Sequence, residues 1–175
     1  MGKLCLNKLS GNIVQDCTIT PVGIKDIYLM YAEEVTLSYS NLADMVSDVV
    51  FAAKARSYKV EGYKQNIQIT SSLRALDASS KLDVSVTFKI PQKNRVMWRN
   101  MLSGRFYVMA IPNDTSARPA FIGFTSPLEV TSADSDSNSG AGLVTITLGA
   151  PEGSAGNYIL DMADSARDTI ISKAI

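Results

Sequence analysis

Histidine is missing altogether from the 175-residue sequence. Its absence removes the usual general base, the commonest zinc ligand and every triad built on imidazole. Cysteine is almost as scarce. Cys5 and Cys17 are too few for a four-ligand metal site, lack CxxC spacing and have no imidazole to activate a thiolate. They could pair across a short N-terminal loop, but without a secretory signal they read as two reduced thiols. An excess of either charge is missing too, since 17 basic side chains balance 17 acidic ones. Phosphate affinity comes from concentrated Lys and Arg, and here these read as scattered, so a nucleic-acid reader is not expected. Any partner would be recognised by shape. No apolar run approaches the ~18 residues of a membrane span. No apolar stretch precedes a small-residue cleavage site, and Leu6 stands where a myristoylation pattern wants Ser or Thr. Production and folding in the cytoplasm, with no membrane partner, are the expectation.

What is present describes a globular chain, with 46% hydrophobic and 19% charged residues. At this length folding hides roughly 70% of the unfolded surface, so a core needs no staple. Period-two patterning dominates. Val84-Ser85-Val86-Thr87-Phe88-Lys89-Ile90 alternates apolar with polar, and Leu143 to Leu148 repeats the pattern with Val144, Ile146 and Leu148 on one face. Ile67 and Ile69 mark a strand near 63–73, and Ile24 to Tyr31 reads as an early strand. Phe106 to Ile111 and Phe121 to Phe124 are apolar on both faces. The turn formers between them, Pro112 to Ser116, predict a hairpin. After Pro91, Val96, Met97, Met101 and Leu102 at helical spacing predict a helix within 92–102, stopped by Ser103-Gly104. Its Trp98 is read as a packing anchor rather than a ligand platform.

Asn41 to Ala53 is ambiguous. Leu42, Met45, Val46, Val49 and Ala53 fit a helical stripe, while Val50, Ala52, Lys54, Arg56, Tyr58 and Val60 fit a strand face. From Asp161, Met162, Ala166, Ile170 and Ala174 at four-residue steps predict a short C-terminal helix. Ala75 to Ser80 and Ser132 to Gly142 read as loops. The expected organisation is an N-terminal arm over 1–23, a β-domain over 24–160 and a helical tail over 161–175. The expected class is mainly β, an antiparallel sandwich or barrel with one flanking helix and a short C-terminal helix.

No constellation for chemistry survives. Asp134 to Gly140 opens like a calcium loop, but Ser139 occupies the position that needs glycine and Thr145 the one that needs glutamate. Asp26, Glu33, Glu34, Asp44, Asp48 and Asp83 form no recognisable acid–base pair. Gly153-Ser154-Ala155-Gly156 lacks the lysine and helix of a phosphate loop and reads as a turn. Catalytic, metal-binding and cofactor-binding residues are therefore all expected to be absent.

The order of segments carries a resemblance. Ser47 to Phe51 and Arg56 to Glu61 read as a strand, turn and partner, followed by the polar strand Tyr63 to Thr70 and the alternating strand ending Lys89-Ile90-Pro91. After the helix come Arg105 to Ala110, Phe121 to Phe124, Leu128 to Ser132, a glycine-containing loop and Val144 to Leu148. Over roughly residues 24–160 this resembles the tail-tube-like structural proteins of tailed bacteriophages, particularly those of gut Bacteroides-type hosts. The resemblance rests on strand order and texture, without an invariant motif. It implies strand from Ser47 and copies joined by sheet edges into a ring, a hexamer or a multiple, around a channel for DNA that is not read by sequence. It implies other tail or neck proteins as partners, and a place in the virion after assembly in the host cytoplasm. Tube, neck ring and tail-completion roles stay open, although a tube protein commonly projects a long arm that here only the N-terminal 23 residues or the C-terminal helix could supply. On this reading Val50, Tyr58, Tyr63, Ile67, Ile69 and Ile170 are the expected subunit-interface residues. The alternative is a monomeric carbohydrate- or surface-binding β-sandwich, against which the dispersal of the seven tyrosines counts.

Overall fold

The computed structural model describes residues 5–6, 13–14, 23–62, 66–76, 79–135, 142–154 and 156–175. The two-residue strands β1 (Cys5–Leu6) and β2 (Ile13–Val14) pair with each other. The remaining strands form one eleven-stranded sheet: β3 (Ile24–Tyr31), β4 (Val35–Ser40), β5 (Met45–Phe51), β6 (Ser57–Glu61), β7 (Gln68–Leu76), β8 (Ser79–Pro91), β9 (Arg105–Pro112), β10 (Ala120–Ile122), β11 (Leu128–Ser135), β12 (Leu143–Gly149) and β13 (Leu160–Met162). Helix α1 (Arg95–Met101) links β8 to β9, and α2 (Asp164–Ser172) follows β13. The chain is mainly β and of the sandwich or barrel class with flanking helices, as the patterning leads one to expect.

The sheet branches at β9. One edge of β9 pairs with β3 over nearly its whole length, and β3 in turn carries β6. The other edge is shared: its start, Arg105 and Phe106, pairs with β11, while Val108 to Ala110 pair with β10. From β11 the ladder runs through β12 and β8 to β7, and from β10 through β13 and β5 to β4. Every pair in the sheet is antiparallel except β13 with β5. That exception departs from the all-antiparallel expectation. It arises because β5 and β13 are distant in sequence and meet only as partners in a shared core.

Alternation along β3 and β9 explains the two cores. A strand sends successive side chains to opposite faces. Ile27 and Leu29 of β3, with Phe106, Val108 and Ala110 of β9, enter a first core closed by Val84, Val86, Phe88 and Ile90 of β8 and Val144, Ile146 and Leu148 of β12. Tyr28 and Met30, with Met109 opposite Tyr28, enter a second core closed by Val46 and Val49 of β5, Phe121, Met162, and Ala166 and Ile170 of α2. The β3–β9 ladder is thus a wall with a core on each side, and its two-faced apolar sequence is the signature of that position.

Several segments differ from expectation. The segments 47–51 and 56–61 are not partners: β5 pairs with β4 and β13, whereas β6 pairs with β3. A turn at Ala53 and Lys54, where Lys54 adopts a φ of 71°, carries the chain from one branch to the other. The ambiguous segment 41–53 is a turn and then a strand beginning at Met45. Ser47 is an extra residue in the β4–β5 ladder, where Ser38 pairs with Asp48 and Tyr39 with Val46. This bulge lets Val46 and Val49, three apart, both face the second core. Of the tract 75–80 expected as a loop, Ala75 and Leu76 end β7 and Ser79 and Ser80 begin β8, with Leu76 opposite Ser79; 77–78 lie outside the described residues. Strand β4 was not anticipated. A second bulge, at Lys25 of β3, points its carbonyl at the Gly62 amide (2.7 Å). A Cβ on Gly62 would lie 2.3 Å from that carbonyl oxygen, so glycine is required there.

Candidate functional site

Two kinds of surface could serve a function: unpaired strand edges, and a cleft beside α1. Each sheet branch ends on a strand with one partner among the described residues, β7 on β8 and β4 on β5. Strand β7 is long, and from Gln68 to Leu73 only Ile69 is covered to any extent. Leu73 is 71% exposed, an apolar side chain that the chain's own core does not use. A long edge with little charge is a template for another strand. The edge of β6 is treated differently. There the C-terminal residues lie alongside: Ser57 N–H donates to the Lys173 carbonyl (3.1 Å), Ile175 N–H to the Ser57 carbonyl (3.1 Å), and the buried Ser57 hydroxyl to the Ile170 carbonyl (2.7 Å).

The cleft, of roughly 600 Å³, opens between α1 and the β3–β6 ladder. Its floor is first-core material, Leu29, Phe88, Ile90 and Phe106. Its rim carries Tyr31, Tyr58, Lys93, Asn94, Arg95 and Asn100. Tyr31 meets Tyr58 edge-on, with centroids 5.9 Å apart, and leans on Phe106 at 4.9 Å. Burial, and next the neighbouring Tyr58, push the Tyr31 phenol above its ordinary pKa. Lys59 is compensated by Glu61 (3.2 Å) and Asp26 (3.5 Å), whereas Lys93 and Arg95 form no ion pair among the described residues. Trp98 packs against the first core, its indole N–H buried without a hydrogen-bond partner. The cleft combines an apolar floor, two aromatic rings and cationic and amide donors. Its lining includes no Asp or Glu side chain.

Of the six residues expected at a subunit interface, the five that are described do not share one exposed surface. Val50 projects outward from β5 and is exposed, and Tyr58 stands at the cleft rim. Ile69 is half-buried against the first core. Ile67 and Ile170 are buried in the first and second cores, so in this fold they present nothing to a neighbour. They are apolar because the chain's own packing consumes them. Tyr63 lies outside the described residues, as do Cys17 and most of the Asp134–Gly140 tract. Among the described residues no cluster of three or more acidic or Cys side chains is placed to hold a metal. Among the described residues no helix is long and apolar enough to cross a membrane.

One feature went unread in the sequence. Five of the 17 Lys and Arg residues share one stretch free of carboxylates: from Val84 to Asn113 the chain holds Lys89, Lys93, Arg95, Arg99 and Arg105 and no Asp or Glu. A count of charge by segment, rather than over the whole chain, reveals it. The chain matches no family model, no curated protein and no solved structure.

Proposed function

We propose that this chain is a non-enzymatic bacteriophage virion protein that oligomerises into a ring or tube, part of the tail or head–tail connector channel for DNA. The observation that carries the reading is the pair of edges without a second strand partner among the described residues, β7 and β4, at the two ends of the longest path through the sheet. Different edges on one copy make a head-to-tail contact, which closes into a ring when the rotation per copy allows. The segment order set out above supplies the virion context. The polar face of the β8–β12 ladder, where Thr87 and Thr147 share a hydroxyl contact at 3.1 Å, suits a wall along which a polyanion slides without sticking. Light scattering and negative-stain imaging of tag-free protein test the reading. Uniform rings or stacked tubes with an open lumen are expected. Leu73→Lys, which puts a charge on the free edge, should weaken association by more than about tenfold and leave the fold within about 0.5 kcal/mol of wild type. Assembly unchanged by that substitution would remove β7 from the contact.

A second reading, a monomeric carbohydrate- or surface-binding module, is favoured by the cleft, where the fold gathers Tyr31 and Tyr58 beside Asn94 and Asn100. Glycan-array binding by monomeric protein, lost in Tyr58→Ala, would select it.

A further inference from the structure

The neutral charge of this chain conceals two opposed faces. On α1, Arg95, Val96, Met97, Arg99 and Asn100 are exposed, Met101 alone is buried, and Lys93 and Leu102 flank the helix in the open. Val96 is 61% exposed, a large apolar side chain among cations. Arg105 is paired with Glu129 (2.9 Å), but among the described residues Lys93, Arg95 and Arg99 have no carboxylate partner.

The β4–β5 hairpin is the counterpart. From Asp26 to Ala53 the chain holds Asp26, Glu33, Glu34, Asp44 and Asp48 and no cation. The bulge at Ser47 turns Asp48 and Val50 outward, opposite Ser38 and Thr36, and Glu33 and Glu34 are exposed in the 3-10 turn that leads into β4. Val50 is 56% exposed. Glu33, Glu34 and Asp48 pair with no cation among the described residues, although Lys54 follows in the next turn. Asp48 accepts only the amide of Val49 (2.8 Å).

Each face therefore has exposed apolar side chains set among unpaired charges of one sign, and the signs are opposite. Val96, Met97 and Leu102 form a small apolar cluster among the cations and Val50 is one exposed apolar side chain among the carboxylates, so the opposite charges carry the complementarity. Helix α1 packs on the first core and the hairpin on the second, so the two faces belong to different sides of the β3–β9 wall. We infer that the α1 face of one copy docks on the β4–β5 face of the next, as a second contact that fixes orientation beside the strand-edge contact. The inference rests on the reading that copies assemble. Apolar groups at the centre exclude water and strengthen the surrounding pairs, and like faces repel, which forbids a symmetric pairing. A contact between two different faces propagates into a ring or tube.

The test uses two charge-reversed full-length chains, Arg95→Glu with Arg99→Glu, and Glu34→Lys with Asp48→Lys. All the changed side chains are exposed, and circular dichroism with thermal melting checks that both variants fold. Each variant alone should associate about 100-fold more weakly than wild type, because every contact now opposes like charges. An equimolar mixture should regain wild-type mass, since each variant complements the other in an alternating assembly, and the regained mass should fall with added salt. If wild type assembles and each variant alone assembles as well, the pairing of faces is wrong and the edge-driven ring stands. If wild type assembles, the variants do not and the mixture stays dissociated, the faces matter but do not meet, which also overturns the pairing. If wild type remains monomeric at low salt and high concentration, the assembly reading falls and takes this inference with it.

Discussion

The two cores share one wall but are closed by different means. The first is shut by long continuous ladders, with β8 pairing to β12 on one side and to β7 on the other without a break in register. Its contributors alternate strictly: Val84, Val86, Phe88 and Ile90 inward, Ser85, Thr87 and Lys89 outward. The second is shut by pieces. It uses the three-residue strands β10 and β13, a bulged hairpin, a parallel pairing and one helix. Its β10 and β13 pairings run only two or three residues, so side-chain burial and individual ties such as Ser57 to Ile170 matter more to its closure. Regions built this way open locally at lower cost than long ladders do. The same second-core hairpin carries the acidic face, and the first core carries the basic one.

The strongest way to break this comparison is to hollow out each core in turn. Phe88 fills the first and Phe121 the second, and both are fully buried. Phe88→Ala and Phe121→Ala should each cost about 3–5 kcal/mol in denaturant unfolding. Trp98, the sole tryptophan, reports on the first core, while circular dichroism reports on the whole sheet. Because Tyr28 and Met30 stand on the same strand as Ile27 and Leu29, loss of one core should pull down the other. Both probes should then trace a single transition in both variants. Separate transitions in Phe121→Ala would show that the second core melts on its own and that the wall does not couple them.

A smaller effect sharpens the contrast. Ser57→Ala removes the hydroxyl that holds the end of α2 against β6 and leaves the Ile170 carbonyl without that donor. The expected cost is about 1–2 kcal/mol. It should fall unevenly, with faster amide exchange at α2 and at the Lys173–Ile175 pairing than at β8 and β12. Uniform exchange changes across both cores would mean that the two closures are equally robust.

How much of this was legible follows from the same contrast. The first core could be read from β8 and β12, because an unbroken ladder writes its period into the sequence. Both faces of β9 were readable as apolar, but what covered each face was not, since β5, β13 and α2 are far away in sequence. The bulge at Ser47 did the most damage. By bringing Val46 and Val49 to one side it imitates helical spacing, so periodicity alone could not choose between strand and helix. That Ile67 and Ile170 are buried in the chain's own cores could not be read for a related reason. An apolar side chain in an isolated segment looks the same whether a neighbouring copy or the chain's own core covers it.

The smallest expected effect concerns the edge between the branches, where Lys59 on β6 bridges Glu61 and Asp26 of β3. The hydrogen bond to Glu61 chiefly holds the Lys59 ammonium above its ordinary pKa of 10.5, against a partial loss of hydration. A group whose folded pKa is raised contributes stability that is complete below its unfolded pKa and disappears as pH climbs through the folded value. The advantage of wild type over Lys59→Met should therefore be constant through neutral and mildly alkaline pH, and shrink only once pH passes the ordinary lysine value. Tyr28 titrates in the same window and in the same sense, its phenol raised mainly by burial. Because the Lys59 charge itself lowers the Tyr28 pKa, the comparison is made in a Tyr28→Phe background, where the difference is assigned to the lysine. Since Lys59 is partly exposed, the difference should be small and should fall with salt. An advantage that declined below neutral pH instead would overturn the assignment to the lysine.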